Sequence, residues 1–81
     1  MTMRDKLALL TELCEQYNLH FVDLIVWHGH EWAYIGSHYD PTSYIEKLSS
    51  DQIESMSPRQ IEELVVQCAL TEMVSDHHEQ V

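Results

Sequence analysis

Six histidines offer the most obvious chemistry in this chain of 81 residues: His20, His28, His30, His38, His77 and His78. His28 and His30 flank Gly29 within "VDLIVWHGHEWAYIG", residues 22–36. Two residues apart on a strand, their side chains would point the same way. A two-histidine metal pair is built like that, and His38, Asp40 or Glu31 would supply a third ligand. No CxxC, HExxH or comparable spacing accompanies them, so the second half of any zinc motif is missing. The sequence predicts no metal and no cofactor. A metal-binding regulator built on His28, His30 and His38 is the alternative, and His77 and His78 read as solvated tail residues.

Nucleophiles are as sparse. Ser37, His38 and Asp40 are neighbours, but a catalytic triad is a spatial arrangement that one turn seldom produces. Cys14 with a distant histidine is an equally bare pairing. Only two glycines occur, Gly29 and Gly36, so no loop can cradle a phosphate. Adjacent carboxylates such as Glu62 and Glu63 read as a solvated helix face. No residue set forms even the outline of an active site, and the expectation is a protein that is not an enzyme.

Charge narrows the partners. Fourteen acidic residues stand against four basic ones, a net charge of -10. Phosphate contacts need Lys and Arg, and Arg4, Lys6, Lys47 and Arg59 are scattered. Direct binding to nucleic acid or to an anionic membrane is therefore excluded as an expectation. Residues 40–81 carry most of the acid. Glu72, Asp76 and Glu79 follow i, i+4, i+7 near the end of a helix, where the dipole and mutual repulsion both disfavour negative charge. With Glu62 they are candidates for a negative surface that imitates nucleic acid. The bland alternative is solubility, since a charge far from zero keeps small proteins dispersed.

These residues must be positioned by one small domain, residues 1–75, with 76–81 expected to fray. Residues 3–17 form an amphipathic helix with Met3, Leu7, Leu10, Leu13, Cys14 and Tyr17 on its apolar side. Thr2 and Asp5 make a capping-box pair, and Asn18 is a suitable stop. Residues 21–36 read as a hairpin of "FVDLIVW" and "EWAYIG", turning at "HG" or "HGHE". A loop from His28 to Glu31 would set Trp27 opposite Trp32 and Ile25 opposite Tyr34. One face would then carry Val22, Leu24, Val26, Ala33 and Ile35. The other would carry Ile25, Trp27, Trp32 and Tyr34, with Asp23 near its end. A helical reading also exists, with Phe21, Leu24, Ile25, His28, Trp32 and Ile35 as its stripe. It places Gly29 in mid-helix at about 1 kcal/mol.

Beyond the turn "SHYDP", Asp40 and Pro41 can open a short helix through Tyr44, Ile45 and Leu48. "SSDQIESM" (49–56) and "SPRQIEEL" (57–64) then repeat one helix-start device: Ser caps, Gln three residues on returns the bond, and Ile begins the buried side. The second copy opens the longest helix, about 58–75, with Ile61, Leu64, Val65, Cys68 and Ala69 inward and Met73 as its far end. Cys14 and Cys68 both fall on apolar sides, which predicts buried free thiols in a reducing, cytoplasmic setting. Neither a signal peptide nor a membrane span is expected.

The fold class is thus α+β: N-terminal helix, β-hairpin, short helix and long C-terminal helix, with a small all-α bundle as the alternative. A lone hairpin exposes edges and a second apolar face. Trp27, Trp32 and Tyr34 would form a patch for a partner protein or for a homodimer through the hairpin. The expected function is protein binding without catalysis. Its sharp form is an inhibitor of a nucleic-acid-binding protein, in the style of small acidic phage anti-restriction and anti-CRISPR proteins, an analogy of size and charge alone. A structural subunit of a larger assembly is the remaining alternative.

Overall fold

The computed structural model describes residues 1–39 and 43–79, with side chains through Met73. The chain runs α1 (Met3–Gln16), β1 (Leu19–Trp27), β2 (His30–Ser37), β3 (Tyr44–Ser49), α2 (Ser50–Ser55) and α3 (Pro58–Glu79). It is a mixed α+β domain: helices form one layer and an antiparallel sheet of order β1-β2-β3 forms the other.

Helix starts obey local chemistry. Thr2 accepts from the Asp5 backbone N–H, and the Asp5 carboxylate accepts from Thr2 N–H. Both copies of the repeat do the same: Ser49 with Gln52, and Ser57 with Gln60. Each device satisfies two N–H groups that a helix end leaves orphaned. Ser49→Ala and Ser57→Ala should each cost about 1 kcal/mol. The two losses should add in urea unfolding, because the caps share no partner. At the other end of α1, Asn18 takes φ 59° and stops the helix, as its short polar side chain allows.

The hairpin turns through two residues, His28 and Gly29, with φ of 52° and 78°. Positive φ at both positions is the type I′ geometry that matches strand twist. The pairing is therefore Trp27 with His30, Val26 with Glu31 and Ile25 with Trp32. The expected four-residue loop, and the Trp27–Trp32 and Ile25–Tyr34 pairs, are thus displaced by two residues. A shift of two preserves faces, so the aromatic face survives. A bulge then sets Val22 opposite Tyr34 while Ile25 stays opposite Trp32. It leaves Asp23 and Leu24 together opposite Ala33. Val22 consequently joins the aromatic face and Asp23 leaves it, the reverse of the simple alternation.

The expected helix through Tyr44, Ile45 and Leu48 is instead strand β3; Asp40 and Pro41 lie outside the described residues. β3 pairs Leu48 with Ala33, Lys47 with Tyr34 and Glu46 with Ile35, then bulges at Ile45 to bring Tyr44 opposite Gly36. Glu46 lies on the helix-side register and Ile45 is the extra residue, so the period of two is broken in sequence.

The core lies between the layers. Leu10 and Cys14 of α1, Ala33 and Ile35 of β2, Ile53 of α2, and Ile61, Val65 and Cys68 of α3 are almost wholly buried. α3 contributes at i, i+4, i+7, the stripe its sequence predicts. Met73 is not its far end: that side chain is 66% exposed. Cys14 and Cys68 are free thiols in this one core. α3 extends to Glu79, beyond the expected limit near 75.

Candidate functional site

Every helix packs on one side of the sheet, so the other side stays open. Strand register places His20, Val22, Ile25 and Trp27 of β1 on it, with His30, Trp32, Tyr34 and Gly36 of β2 and Tyr44, Lys47 and Ser49 of β3. Trp27 is 53% exposed, and Ile25 and Tyr44 are exposed as well. The hairpin tip also projects past the helices. Val26 faces the helical side there, yet is 73% exposed.

Ring contacts order this surface. The Lys47 ammonium sits 4.3 Å from the Trp32 ring centroid and 5.5 Å from that of Trp27. A cation over an indole face is attracted by its quadrupole, and the lysine stem covers apolar surface. Tyr34 and Tyr44 meet edge to face at 5.4 Å. Beside them a shallow groove of about 240 Å³ is lined by His20, Val22, Ile25, Tyr34, Gly36 and Tyr44, with Ser43 at its rim. Gly36 makes the close strand approach possible: a Cβ there would stand 2.5 Å from the Ser43 carbonyl oxygen.

The face has a second property. Among its described residues none is Asp or Glu, although the chain carries fourteen such residues. Most exposed carboxylates lie instead on the helices: Asp5, Glu12 and Glu15 on α1, Asp51 and Glu54 on α2, Glu62 and Glu63 on α3; Asp23 on β1 and Glu31 on β2 are exposed too, but off this face by strand register. Lys6 donates to the Glu54 carbonyl, and Arg59 pairs with Glu63 at 3.4 Å in full solvent. Such an exposed pair adds little stability. The open face and the helical layer are thus electrostatically unlike.

The sequence-derived candidates separate accordingly. Trp27, Trp32 and Tyr34 come together on the open face. Glu62 is exposed on α3. Glu72 is half-buried, and its carboxylate accepts a hydrogen bond of 2.6 Å from Ser37 Oγ. It ties α3 to the end of β2, so a charge reversal there removes a fold contact as well as a charge. Asp76 and Glu79 lie outside the residues whose side chains are described. Ser37 is itself buried, and its oxygen also accepts from Tyr39 N–H. That hydroxyl is engaged in the turn, with Asp40 outside the described residues.

The histidines do not converge. His28 sits in the turn, where it packs against Trp27 at 4.4 Å. His30 begins β2 and leans on Trp32 at 6.5 Å. His38 follows the far end of β2, where it meets Tyr39 at 5.6 Å. Eight residues of nearly extended chain separate His30 from His38, roughly 25 Å. Among the described residues no three His, Cys, Asp or Glu side chains are placed to hold a metal ion. The structure does not bring His28, His30 and His38 together.

Two contributors escaped sequence reasoning, Lys47 and Tyr44. Both depend on β3, whose alternation is hidden by its bulge. Tyr44 beside Ile45 and Lys47 beside Leu48 were the available signals, and they fit a helix equally well.

Together these features define a class: a two-layer α+β domain with helices on one side and an open aromatic sheet on the other. No protein-family model, curated protein or solved structure matches the chain. No helix among the described residues is long and apolar enough to cross a membrane.

Proposed function

We propose that this chain is a small non-catalytic protein-binding module. In its sharpest form it is a cytoplasmic inhibitor that lays its acidic helical layer into the basic groove of a nucleic-acid-binding protein. The observation that supports this reading is the concentration of exposed carboxylates on the helical layer, against none on the open sheet face. Carboxylates spread over three helices offer a partner a negative surface, while the sheet face offers none. Neighbouring helical carboxylates stand about 5–6 Å apart, a scale similar to phosphates along a strand. Complementary charge of this kind accelerates encounter and selects partners by sign.

The test uses Glu12→Lys combined with Glu62→Lys, both exposed and neither engaged with the core. Wild type and variant are compared as baits in cells that encode the chain, at low and high salt. The expected captures bind nucleic acid, lose it when the chain is added, and release the chain as salt rises. The variant should bind roughly tenfold more weakly or worse, with a shallower salt dependence. Binding indifferent to both charge reversal and salt would refute the reading. The open aromatic face favours a second reading, a subunit of a larger assembly, for which weak salt dependence is expected.

A further inference from the structure

The sheet face has a feature that the charge argument leaves unused: it is complementary to itself. We propose that its occupant is a second copy of this chain, packed face to face about a two-fold axis that leaves the acidic helices outermost.

Three observations lead there. The first is electrostatic. Each chain carries a net charge of -10, so most ways of joining two copies press carboxylate on carboxylate. The open face bears Lys47 and no described carboxylate, and is the surface on which two copies meet at least repulsion.

The second is shape. Trp27 projects at the hairpin end of the face, whereas the groove lined by Val22, Tyr34, Gly36 and Tyr44 lies toward the other end. A two-fold axis across the strands brings the indole of each copy over the groove of the other. An isologous contact needs this pairing of a knob and a hole on one surface.

The third concerns the edges. Strand-to-strand addition is the usual way for an open sheet to associate, and both edge strands obstruct it. β1 bulges between Val22 and Ile25, with Asp23 on the bulge, and β3 bulges at Ile45. Bulges and charged residues at edges are established devices against edge pairing. Association through the face remains.

Area sets the strength. Nine residues of β1 at about 3.3 Å each, across three strands about 4.8 Å apart, give roughly 400 Å² in plan. That lies below the standard interface of about 800 Å² per partner. The dimer is therefore expected in the micromolar range rather than as an obligate pair.

Sedimentation equilibrium on the wild-type chain over a wide concentration range tests this. A monomer–dimer equilibrium is expected, and it should tighten as salt is raised, because salt screens the repulsion between two acidic chains. Trp27→Ser and Tyr44→Glu, both at exposed positions, should weaken it by roughly thirtyfold or more. Far-UV circular dichroism and melting temperature report whether each variant keeps its fold. A wild-type chain that stays monomeric throughout would overturn the proposal. So would a dimer that persists in both folded variants, or one that salt dissociates. None of these outcomes depends on a foreign partner, so the dimer and the inhibitor reading stand or fall separately.

Discussion

Gly36→Val is expected to cost about 1–3 kcal/mol, the usual penalty for forcing atoms into a packed site. The reason is steric, not conformational: no positive φ occurs at Gly36. Any Cβ there points at the Ser43 carbonyl oxygen from 2.5 Å, and backbone cannot swing aside as a flexible side chain can. The start of β3 must therefore move away from β2, which parts Tyr44 from Tyr34 and dismantles the groove. A domain of this size has about 4–12 kcal/mol in total, so the loss is a substantial share. Urea unfolding should show a lower midpoint, and near-UV circular dichroism should show a weaker tyrosine signal even in the folded baseline. Gly29→Ala is the contrast. Its Cβ would meet nothing within 4 Å, but φ is 78°, so the cost is only the strain of that backbone, about 1–2 kcal/mol. A Gly36 variant as stable as wild type would mean that β3 does not approach β2 as described.

The second large effect is alkaline. Burial pushes the Cys14 thiol up to about 12, with the nearby Cys68 adding to it. Burial likewise pushes Cys68 to about 11, with Glu46 contributing. Both lie above the ordinary value of 9.0. A raised folded-state value means the unfolded chain releases its protons first as pH climbs. The stabilisation is complete below about pH 9 and is lost as pH rises toward 11 and 12. Each thiol should contribute a slope approaching 1.4 kcal/mol per pH unit, roughly, across that window. Two thiols acting together should remove a substantial share of the domain's stability across that window. Urea midpoints measured from neutral pH to about pH 11 should fall steeply only above about pH 9. A Cys14→Ala, Cys68→Ala double variant should start lower, because it leaves core space unfilled, yet lose far less over the alkaline range. Equal slopes for the two proteins would contradict the assignment.

What could be read from the sequence was what is local. Thr2 with Asp5, Ser49 with Gln52 and Ser57 with Gln60 are contacts across three residues, and the residue types alone specify them. The stripe from Ile61 to Cys68 is similarly local, because helix geometry fixes which positions share a face. The hairpin was legible from its β-branched and aromatic residues. Its register stayed open between the turns "HG" and "HGHE", of which the structure has the first, because His28 departs from the usual Asn or Asp at the first position of a type I′ turn. β3 was hidden for a different reason. The bulge at Ile45 breaks the alternation, so Tyr44, Ile45 and Leu48 mimic a helical spacing. At the candidate site, Trp27, Trp32 and Tyr34 followed from face parity, which a register error of two leaves intact. Lys47 could not follow, since only the pairing of β3 with β2 carries it onto the tryptophans. Nor could the engagement of Glu72, which depends on Ser37 thirty-five residues away.

The strand order has a consequence for how quickly this molecule forms. Strands β1, β2 and β3 lie side by side in the order in which the chain is written, joined by two residues and then by six. Each pairing closes a short loop, and short loops forfeit little chain entropy. The meander can zip from the His28–Gly29 turn outward without waiting for distant segments. The contact of longest range is the docking of α1 against α3, which joins the two ends of the chain. The time course of folding divides at that point. Changes near the turn should act on the rate of folding, whereas changes in the α1–α3 seam, at Leu10 or Val65, should act mainly on the rate of unfolding.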